Sequence, residues 1–255
     1  MIEVKRVAKE WEIWNKEEEM AKLEVEAKKL VPEKFHKWIK VFGKKQSEQM
    51  PTRKVWNHAI EMKEEFVPRK RKVYPLSREE KEKVRKFVRE QLRKRYIWLF
   101  KSPQTVPVFF VGKKKMVQDY RYLNKWMIRN NYPLPLISDM LENIGTKKVF
   151  TKMNLRQEYN NVRIKEENEW QVVFTTSKGS FEPMVMFFGL TNSPAIFQAM
   201  MNELLRDLIN TGKVAVFIDD IIIGMETEDR HDEIVAEVVR RLEENDLYVK
   251  PEKCK

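Results

Sequence analysis

Hydrophobic residues follow a helical rhythm in three stretches of this chain. From Ser77, the sequence SREE places Glu80 three residues later, a capping-box pattern, and apolar residues at helical spacing follow it. A second helix is predicted to start at Ser193 as its N-cap, with Pro194 at the first helical position. A third is predicted over about 231–244. Each stretch has one apolar face, which predicts packing against a core.

Short apolar runs between these helices predict β-strands. The run VPVFFV at 106–111 predicts a strand, a lysine-rich turn follows, and MVQDY is the predicted hairpin partner. Further strands are predicted at 149–153, 161–164 and 171–175, and a short helix near 137–144. Because strands and helices are mixed in no regular order, the predicted fold class is α+β.

The N-terminal part of the chain has a different pattern. Residues 1–30 are highly charged with sparse apolar positions, which predicts a marginal surface helix or a linker arm. Residues 31–76 hold short apolar pieces between charges and prolines. This predicts an extended connector that lies outside the core.

Composition narrows the class of protein. The 255 residues are 42% hydrophobic, enough for a core, and the single cysteine, Cys254, excludes a disulfide framework or a multi-cysteine zinc site. No apolar run approaches the roughly 18 residues that span a bilayer, so we expect no membrane partner and an intracellular location, in the cytoplasm or nucleus. The histidines, His36, His58 and His231, have no ligand spacing and are predicted at the surface or at helix caps.

The net charge of +11 is distributed unevenly. Residues 51–150 carry 25 basic and 10 acidic side chains, whereas 151–255 carry 13 basic and 19 acidic ones. A basic half beside an acidic half favours a polyanionic partner such as nucleic acid, the alternative being an ordinary solvated surface.

Two adjacent carboxylates, Asp219 and Asp220, lie between two apolar runs rich in β-branched residues, VAVFI and III. Burying such a pair costs desolvation energy and the charges repel each other, so a divalent cation would stabilise it. Mg²⁺ prefers one or two carboxylates, with substrate phosphates completing its shell. The alternative is an exposed hairpin turn, in which aspartate is common but a glycine would also be expected.

Eight segments in one order resemble the reverse transcriptase of gypsy-type LTR retrotransposons. The resemblance covers about 68–255 and, more loosely, 31–67. In chain order the segments are FVPRKRKVYPLSREEKEKVRKFVREQL, SPQTVPVFFVGKKK, MVQDYRYLN, YPLPLISDML, FTKMNLRQEY, FFGLTNSPAIFQAMMN, FIDD and LYVKPEKC. The resemblance implies the fingers and palm of a right-hand polymerase without its thumb. We therefore expect a charged arm at 1–50, connector and fingers at 51–147, and palm at 148–255.

The resemblance also implies roles for individual residues. Asp219 and Asp220 match the catalytic, metal-binding carboxylates, and Asn154 occupies the position of the third. Nucleotide-binding roles are implied for five further residues. Lys113 and Lys115 would hold the triphosphate, Tyr159 would reject a ribose 2′-OH, Arg121 would contact the template side, and Gly189 would allow close approach of the backbone. The alternatives are a solvated lysine turn for Lys113 and Lys115 and a packed core residue for Tyr159.

The implied activity is RNA-directed DNA polymerisation with two Mg²⁺ ions, or Mn²⁺, acting on an RNA or DNA template with a primer and on dNTPs. Three departures make us expect that it is impaired: the amide at Asn154, the short turn GKKKM, and an end at Lys255 soon after the fourth palm motif. The alternative is a catalytically dead nucleic-acid-binding remnant of a retrotransposon.

Overall fold

The capping-box helix predicted from Ser77 is present in the structure, a computed structural model that describes residues 25–112 and 115–255. Ser77 is the N-cap of α1 (Arg78–Arg93). Its hydroxyl accepts a hydrogen bond from the Glu80 backbone N–H at 3.2 Å, and the Glu80 carboxylate accepts one from the Ser77 N–H at 2.8 Å. The local signal in the sequence therefore places this helix correctly.

The remaining elements alternate along the chain as a mixed α/β structure. The helices are α2 (Arg121–Trp126), α3 (Ile137–Ile144), α4 (Ser193–Leu204), α5 (Arg206–Asn210) and α6 (Glu228–Glu244). The strands are β1 (Ile97–Leu99), β2 (Val106–Val111), β3 (Lys115–Gln118), β4 (Val149–Asn154), β5 (Phe174–Thr176), β6 (Gly179–Pro183), β7 (Val214–Phe217) and β8 (Asp220–Met225). Short 3-10 helices lie at Glu33–Phe42, Gln46–Glu48, Glu158–Asn161, Glu169–Val172 and Pro251–Lys253.

The described residues divide into two compact units. The five-strand unit comprises Gln49–Ile137 and Gln157–Arg206, and the hairpin unit comprises 25–48, Ser138–Arg156 and Asp207–Lys255. The predicted domain boundaries are not tested by this division and stay a prediction. No helix in the described ranges combines the length and the apolar character needed to cross a membrane.

The five-strand unit is built on one mixed sheet of strand order β1-β6-β5-β2-β3. Strands β2 and β5 are parallel, and the other neighbours are antiparallel. The predicted hairpin of β2 and β3 is confirmed, with Phe109 opposite Val117. A continuous apolar core packs around this sheet and α1, including Val84, Ile97, Val108 and Phe174.

The hairpin unit is built on a three-stranded antiparallel sheet of order β4-β8-β7. Helix α6 packs against β4 and β8 and buries Val235, Val238 and Leu242. The strand predicted at 149–153 is β4, and it pairs with β8, the strand that begins at Asp220. This sheet presents Asn154 and the aspartates at one end, because both lie at the ends of paired strands.

Three local predictions are wrong, and two strands were missed. Asn192, not Ser193, is the N-cap of α4, and Ser193 is its first helical residue. The strand expected at 161–164 is absent. Its first residue belongs to the 3-10 helix Glu158–Asn161, and only isolated β-bridges form at Arg163 and Ile164. The strand expected at 171–175 is only β5, since the 3-10 helix Glu169–Val172 precedes it. Strands β1 and β6 were not predicted.

The segment 31–76 is also more than a connector. Val41 is fully buried in the hairpin unit, and Ile60 joins the core of the five-strand unit. His58 is fully buried outside any helix, and His231 is 6% exposed within α6, whose N-cap is Thr227, so the predicted positions at the surface or at helix caps are wrong for both. Residues 25–30 are helical, and the rest of the predicted N-terminal helix or arm lies outside the described residues.

Candidate active site at the Asp219–Asp220 hairpin

The aspartate pair lies at the tip of the hairpin formed by β7 and β8. Phe217 pairs with Asp220, so the two turn residues are Ile218 and Asp219, and Asp220 is the first residue of β8. Ile218 has a φ of 54°, in the left-handed region. This conformation is rare for a β-branched residue and costs about 1–3 kcal/mol. The strained turn leaves both aspartates half-buried at the end of the hairpin.

Strand β4 brings Asn154 to the same tip. Asn154 is opposite Asp220 in the antiparallel register, and the Leu155 N–H donates to the Asp219 carbonyl at 2.8 Å. Asn154 is 7% exposed, so its amide must find partners within the protein. It finds them in the carboxylates, because Nδ2 donates to Asp219 Oδ2 at 2.7 Å and to Asp220 Oδ1 at 2.9 Å. The structure thus brings together three residues that the sequence selects.

Two lysines that the sequence analysis did not select complete this site. Lys152 Nζ donates to Asp220 Oδ2 at 2.9 Å, and Lys250 Nζ donates to Asn154 Oδ1 at 2.9 Å. Lys152 could have been selected from the sequence, because it precedes Asn154 by two residues and side chains two apart on a strand lie on the same face. No sequence pattern selects Lys250, because its contact with Asn154 joins residues that are distant in the chain.

The electrostatics of Asp220 reflect these contacts. Burial raises the pKa of Asp220, but hydrogen bonds from Asn154 and Lys152 and the charge of Lys152 outweigh it. The net effect is a pKa below the ordinary value of 3.8, so Asp220 is ionised at neutral pH. Asp220 therefore carries a full negative charge that its neighbours already stabilise.

The donor set does not fit a pair of Mg²⁺ ions. A two-ion site needs carboxylates shared between the metals, and Mg²⁺ requires hard oxygen ligands in near-octahedral geometry. Here the third position offers an amide whose N–H groups face the carboxylates and whose oxygen accepts from Lys250. Across the described residues, no group of three or more Asp, Glu, His or Cys side chains could hold a metal ion.

The other predicted site residues lie in the five-strand unit. Tyr159 is 9% exposed and packs edge-on against Phe188 and Phe197, with ring centroids 5.0 and 6.0 Å away. Lys115 Nζ lies 4.3 Å from the Phe188 ring centroid, a cation–π contact. Phe188 therefore links Lys115 to Tyr159, while Lys113 lies outside the described residues.

Arg121 is held by a buried carboxylate. Its Nε and Nη2 donate to Asp119 Oδ1 and Oδ2 at 2.7 and 2.8 Å, and Tyr74 also donates to Asp119. The Arg121 guanidinium holds the pKa of Asp119 well below its usual range. The Arg121 side chain is nevertheless 79% exposed, so its position is fixed while its outer face remains open to solvent.

Gly189 needs glycine because of its backbone conformation. Its φ is 102°, which other residues rarely adopt, whereas an added Cβ would meet only ordinary contacts, the nearest at 3.5 Å to Tyr120. Its carbonyl accepts a hydrogen bond from Asn124 at 2.7 Å. The predicted nucleotide-binding roles of Gly189, Arg121, Tyr159 and Lys115 stay predictions.

Comparisons with known proteins give one consistent result. The family described as reverse transcriptase (RNA-dependent DNA polymerase) matches residues 101–255. The Tf2-3 transposon polyprotein of Schizosaccharomyces pombe is 33% identical over 185 residues, which is 71% of this chain and 14% of that polyprotein. The Tf2-7 polyprotein of the same organism is 32% identical over the same length.

Solved structures agree with the sequence comparison. The native protease-reverse transcriptase of prototype foamy virus has a TM-score of 0.73 at 25% identity, covering 87% of this chain and 30% of that one. The foamy viral enzyme in complex with an RNA/DNA hybrid also has a TM-score of 0.73, at 24% identity, covering 81% and 28%. This chain thus spans a small part of the proteins that it resembles.

Proposed function

The chain belongs to the reverse transcriptase family, and on this premise we propose that it is a fingers-and-palm portion of an RNA-directed DNA polymerase whose nucleotidyl transfer is impaired by Asn154. The tip of the hairpin carries this proposal, since Asn154 donates hydrogen bonds to both Asp219 and Asp220. In a polymerase, metal ions at such a centre stabilise the attacking and leaving oxygens of an in-line displacement. An amide that donates to the carboxylates competes with that role.

The remaining roles follow from side-chain chemistry. Tyr159 is a large ring that would exclude a 2′-OH, and its packing between two phenylalanines would hold it in place. Lys115 would attract triphosphate oxygens, and Arg121 would offer its exposed face to the template strand. These roles give the chain a nucleotide and a template-primer as ligands.

A basic strip supports the nucleic-acid partner. Arg69, Lys70, Arg71 and Lys72, here called the basic strip, are all exposed. The strip is held extended along the start of β2, because Thr105 N–H donates to the Arg69 carbonyl and Arg71 N–H to the Thr105 carbonyl, both at 3.1 Å. A row of exposed cations on a fixed backbone is suited to phosphates. The foamy viral relative, for its part, has been solved with an RNA/DNA hybrid and with dsDNA.

Primer extension tests the proposal. The chain, Asn154→Asp, and a control carrying Asp219→Asn with Asp220→Asn are compared on one RNA template with a DNA primer, in Mg²⁺ and in Mn²⁺. We expect little extension by the unmodified chain and at least a tenfold gain with Asn154→Asp, because loss of metal-site partners costs about 10–100-fold. Robust extension by the unmodified chain would show that the amide does not impair transfer.

A second candidate function is nucleic-acid binding without catalysis. It is favoured by the same basic strip and by the neutralised carboxylates. Fluorescence anisotropy with the template-primer separates the two. Salt-dependent binding with no extension by Asn154→Asp favours the binding remnant, whereas restored extension favours the impaired polymerase.

A further inference from the structure

We propose that the Asp219–Asp220 centre is neutralised from within, by Lys152, Lys250 and the Asn154 amide, and that it therefore holds its shape without divalent cations. The inference rests on the proposed function only in treating this hairpin as the family's catalytic hairpin. It adds that two lysines, and not the amide alone, set the response of the centre to metal ions.

The hydrogen bonds of the carboxylates are the first step. Three of the four carboxylate oxygens accept a side-chain hydrogen bond: Asp219 Oδ2 and Asp220 Oδ1 from Asn154, and Asp220 Oδ2 from Lys152. A metal ion that bound both aspartates would have to displace at least some of these donors. All three contacts have a carboxylate acceptor and are therefore charge-assisted, and in the Lys152 contact the donor is charged as well.

Lys250 determines which way the amide faces. Its Nζ donates to Asn154 Oδ1 at 2.9 Å, and its backbone N–H donates to the Asn154 carbonyl at 2.8 Å. An ammonium has only donors, so the amide must turn its oxygen toward Lys250 and its N–H groups toward the aspartates. Lys250 thus converts residue 154 from a potential metal ligand into a hydrogen-bond donor.

The charges balance without any metal. The carboxylates of Asp219 and Asp220 contribute two negative charges, and the ammonium groups of Lys152 and Lys250 contribute two positive ones. Lys253 adds a further positive charge that acts on Asp220 through space. A divalent cation would enter a centre with no net negative charge, where two lysines repel it.

Two substitutions remove different parts of this neutralisation. Asn154→Asp replaces the donating N–H groups by an oxygen and gives three carboxylates to two lysines. Lys152→Met keeps an unbranched apolar stem, one atom shorter than lysine, and removes the ammonium from Asp220. We expect Asn154→Asp to raise the affinity for Mn²⁺ by at least tenfold, Lys152→Met to raise it by less, and the double variant to raise it most.

Mn²⁺ titration followed by EPR, on the chain without nucleic acid, tests the inference. The control is the chain with Asp219→Asn and Asp220→Asn, which has no carboxylate at the centre. We expect the unmodified chain to bind Mn²⁺ no more tightly than this control, and its melting temperature to be unchanged by Mg²⁺, since only a ligand that binds the folded state stabilises it.

Two results would overturn the inference. One is Mn²⁺ binding by the unmodified chain that weakens tenfold or more in the control. The other is folded Asn154→Asp and Lys152→Met variants, checked by circular dichroism, that bind Mn²⁺ no better than the unmodified chain. If Asn154→Asp does not fold, Lys152→Met alone decides. Failure of the proposed function would instead appear in primer extension, as robust extension by the unmodified chain or as no gain with Asn154→Asp, and this titration involves neither template nor primer.

Discussion

The stability of the five-strand unit should fall in mild acid because of His58. The imidazole is fully buried, and within the described residues neither ring nitrogen has a hydrogen-bond partner. Burial lowers the pKa of His58 to about 4 from the ordinary value of 6.5. The native state therefore keeps this ring neutral at a pH at which the unfolded chain protonates it.

The direction and size of the stability change follow from the linkage between proton binding and folding. Because the folded-state pKa of His58 is lowered, the unfolded chain binds more protons between pH 6.5 and about 4, so stability falls as the pH falls through this window. At about 1.4 kcal/mol for each pKa unit, the gap corresponds to about 3 kcal/mol lost by pH 4. That is a large fraction of a typical domain stability of about 5–15 kcal/mol.

Urea unfolding from pH 8 to pH 4.5 measures this loss when the chain is compared with His58→Leu and His58→Phe. An apolar side chain leaves no unsatisfied nitrogen at this position, so each variant should lose less stability than the parent as the pH falls. His36→Phe is the control, because the His36 ring is only half-buried and contacts the Val31 carbonyl. The parent and the His58 variants share all their other ionisable groups, so a difference between their pH profiles reports on His58. Parallel pH profiles for the parent and the His58 variants would show that the buried His58 ring does not cause the loss of stability.

Three further predictions concern the surface and the backbone. Changing the four residues of the basic strip to Gln should weaken the salt dependence of template-primer binding. The slope of the logarithm of the binding constant against the logarithm of the salt concentration should fall in magnitude by up to about 0.9 for each lost phosphate contact. A control with the same charge change on α1, Gln at Arg78, Lys81, Lys86 and Arg89, should keep the slope of the parent. Glu158 has a φ of 23°, a backbone conformation that glycine adopts more readily than other residues. Glu158→Gly should therefore raise the free energy of unfolding by about 1 kcal/mol, whereas Glu158→Ala should not. Equal free energies of unfolding for the two variants in urea would contradict this prediction. Ser77→Ala removes the cap of α1 and should cost about 1 kcal/mol in the same assay, with no loss expected if the cap does not form in solution.

Local signals predicted the elements that depend on neighbouring residues. The capping box at Ser77 needs only Glu80, and the β7–β8 hairpin needs only two β-branched runs around a turn. The prediction of a strand at 161–164 was wrong because the pattern of apolar residues does not reveal the positive φ angles of Gln157 and Glu158. These angles lie at the start of a 3-10 helix that occupies the beginning of the predicted strand. Strand β1 was missed because Trp98 and Leu99 are 50% and 70% exposed at the edge of the sheet, so their pattern does not alternate between buried and polar positions.

Burial of the N-terminal segments depends on distant partners. Val41 is buried where its carbonyl accepts a hydrogen bond from Val249, and the His58 N–H donates to the Arg163 carbonyl. Each contact joins residues that are far apart in the chain, and charged neighbours hide the apolar positions from a periodicity argument. Prolines and charges therefore predict a connector where tertiary packing forms part of a core.

The orientation of the Asn154 amide in the candidate site also depends on a residue that is distant in the chain. From the sequence, Asn154 is only a carboxylate position that has lost a charge, which predicts a weaker metal site. In the structure the consequence is different, because Lys250, 96 residues away, can only donate hydrogen bonds and therefore faces the amide oxygen. The N–H groups then point at Asp219 and Asp220 and satisfy them. The effect of replacing an oxygen by NH₂ is thus set by a lysine that no local pattern connects to residue 154, and we expect the largest recovery of metal binding when Lys152 is changed together with Asn154.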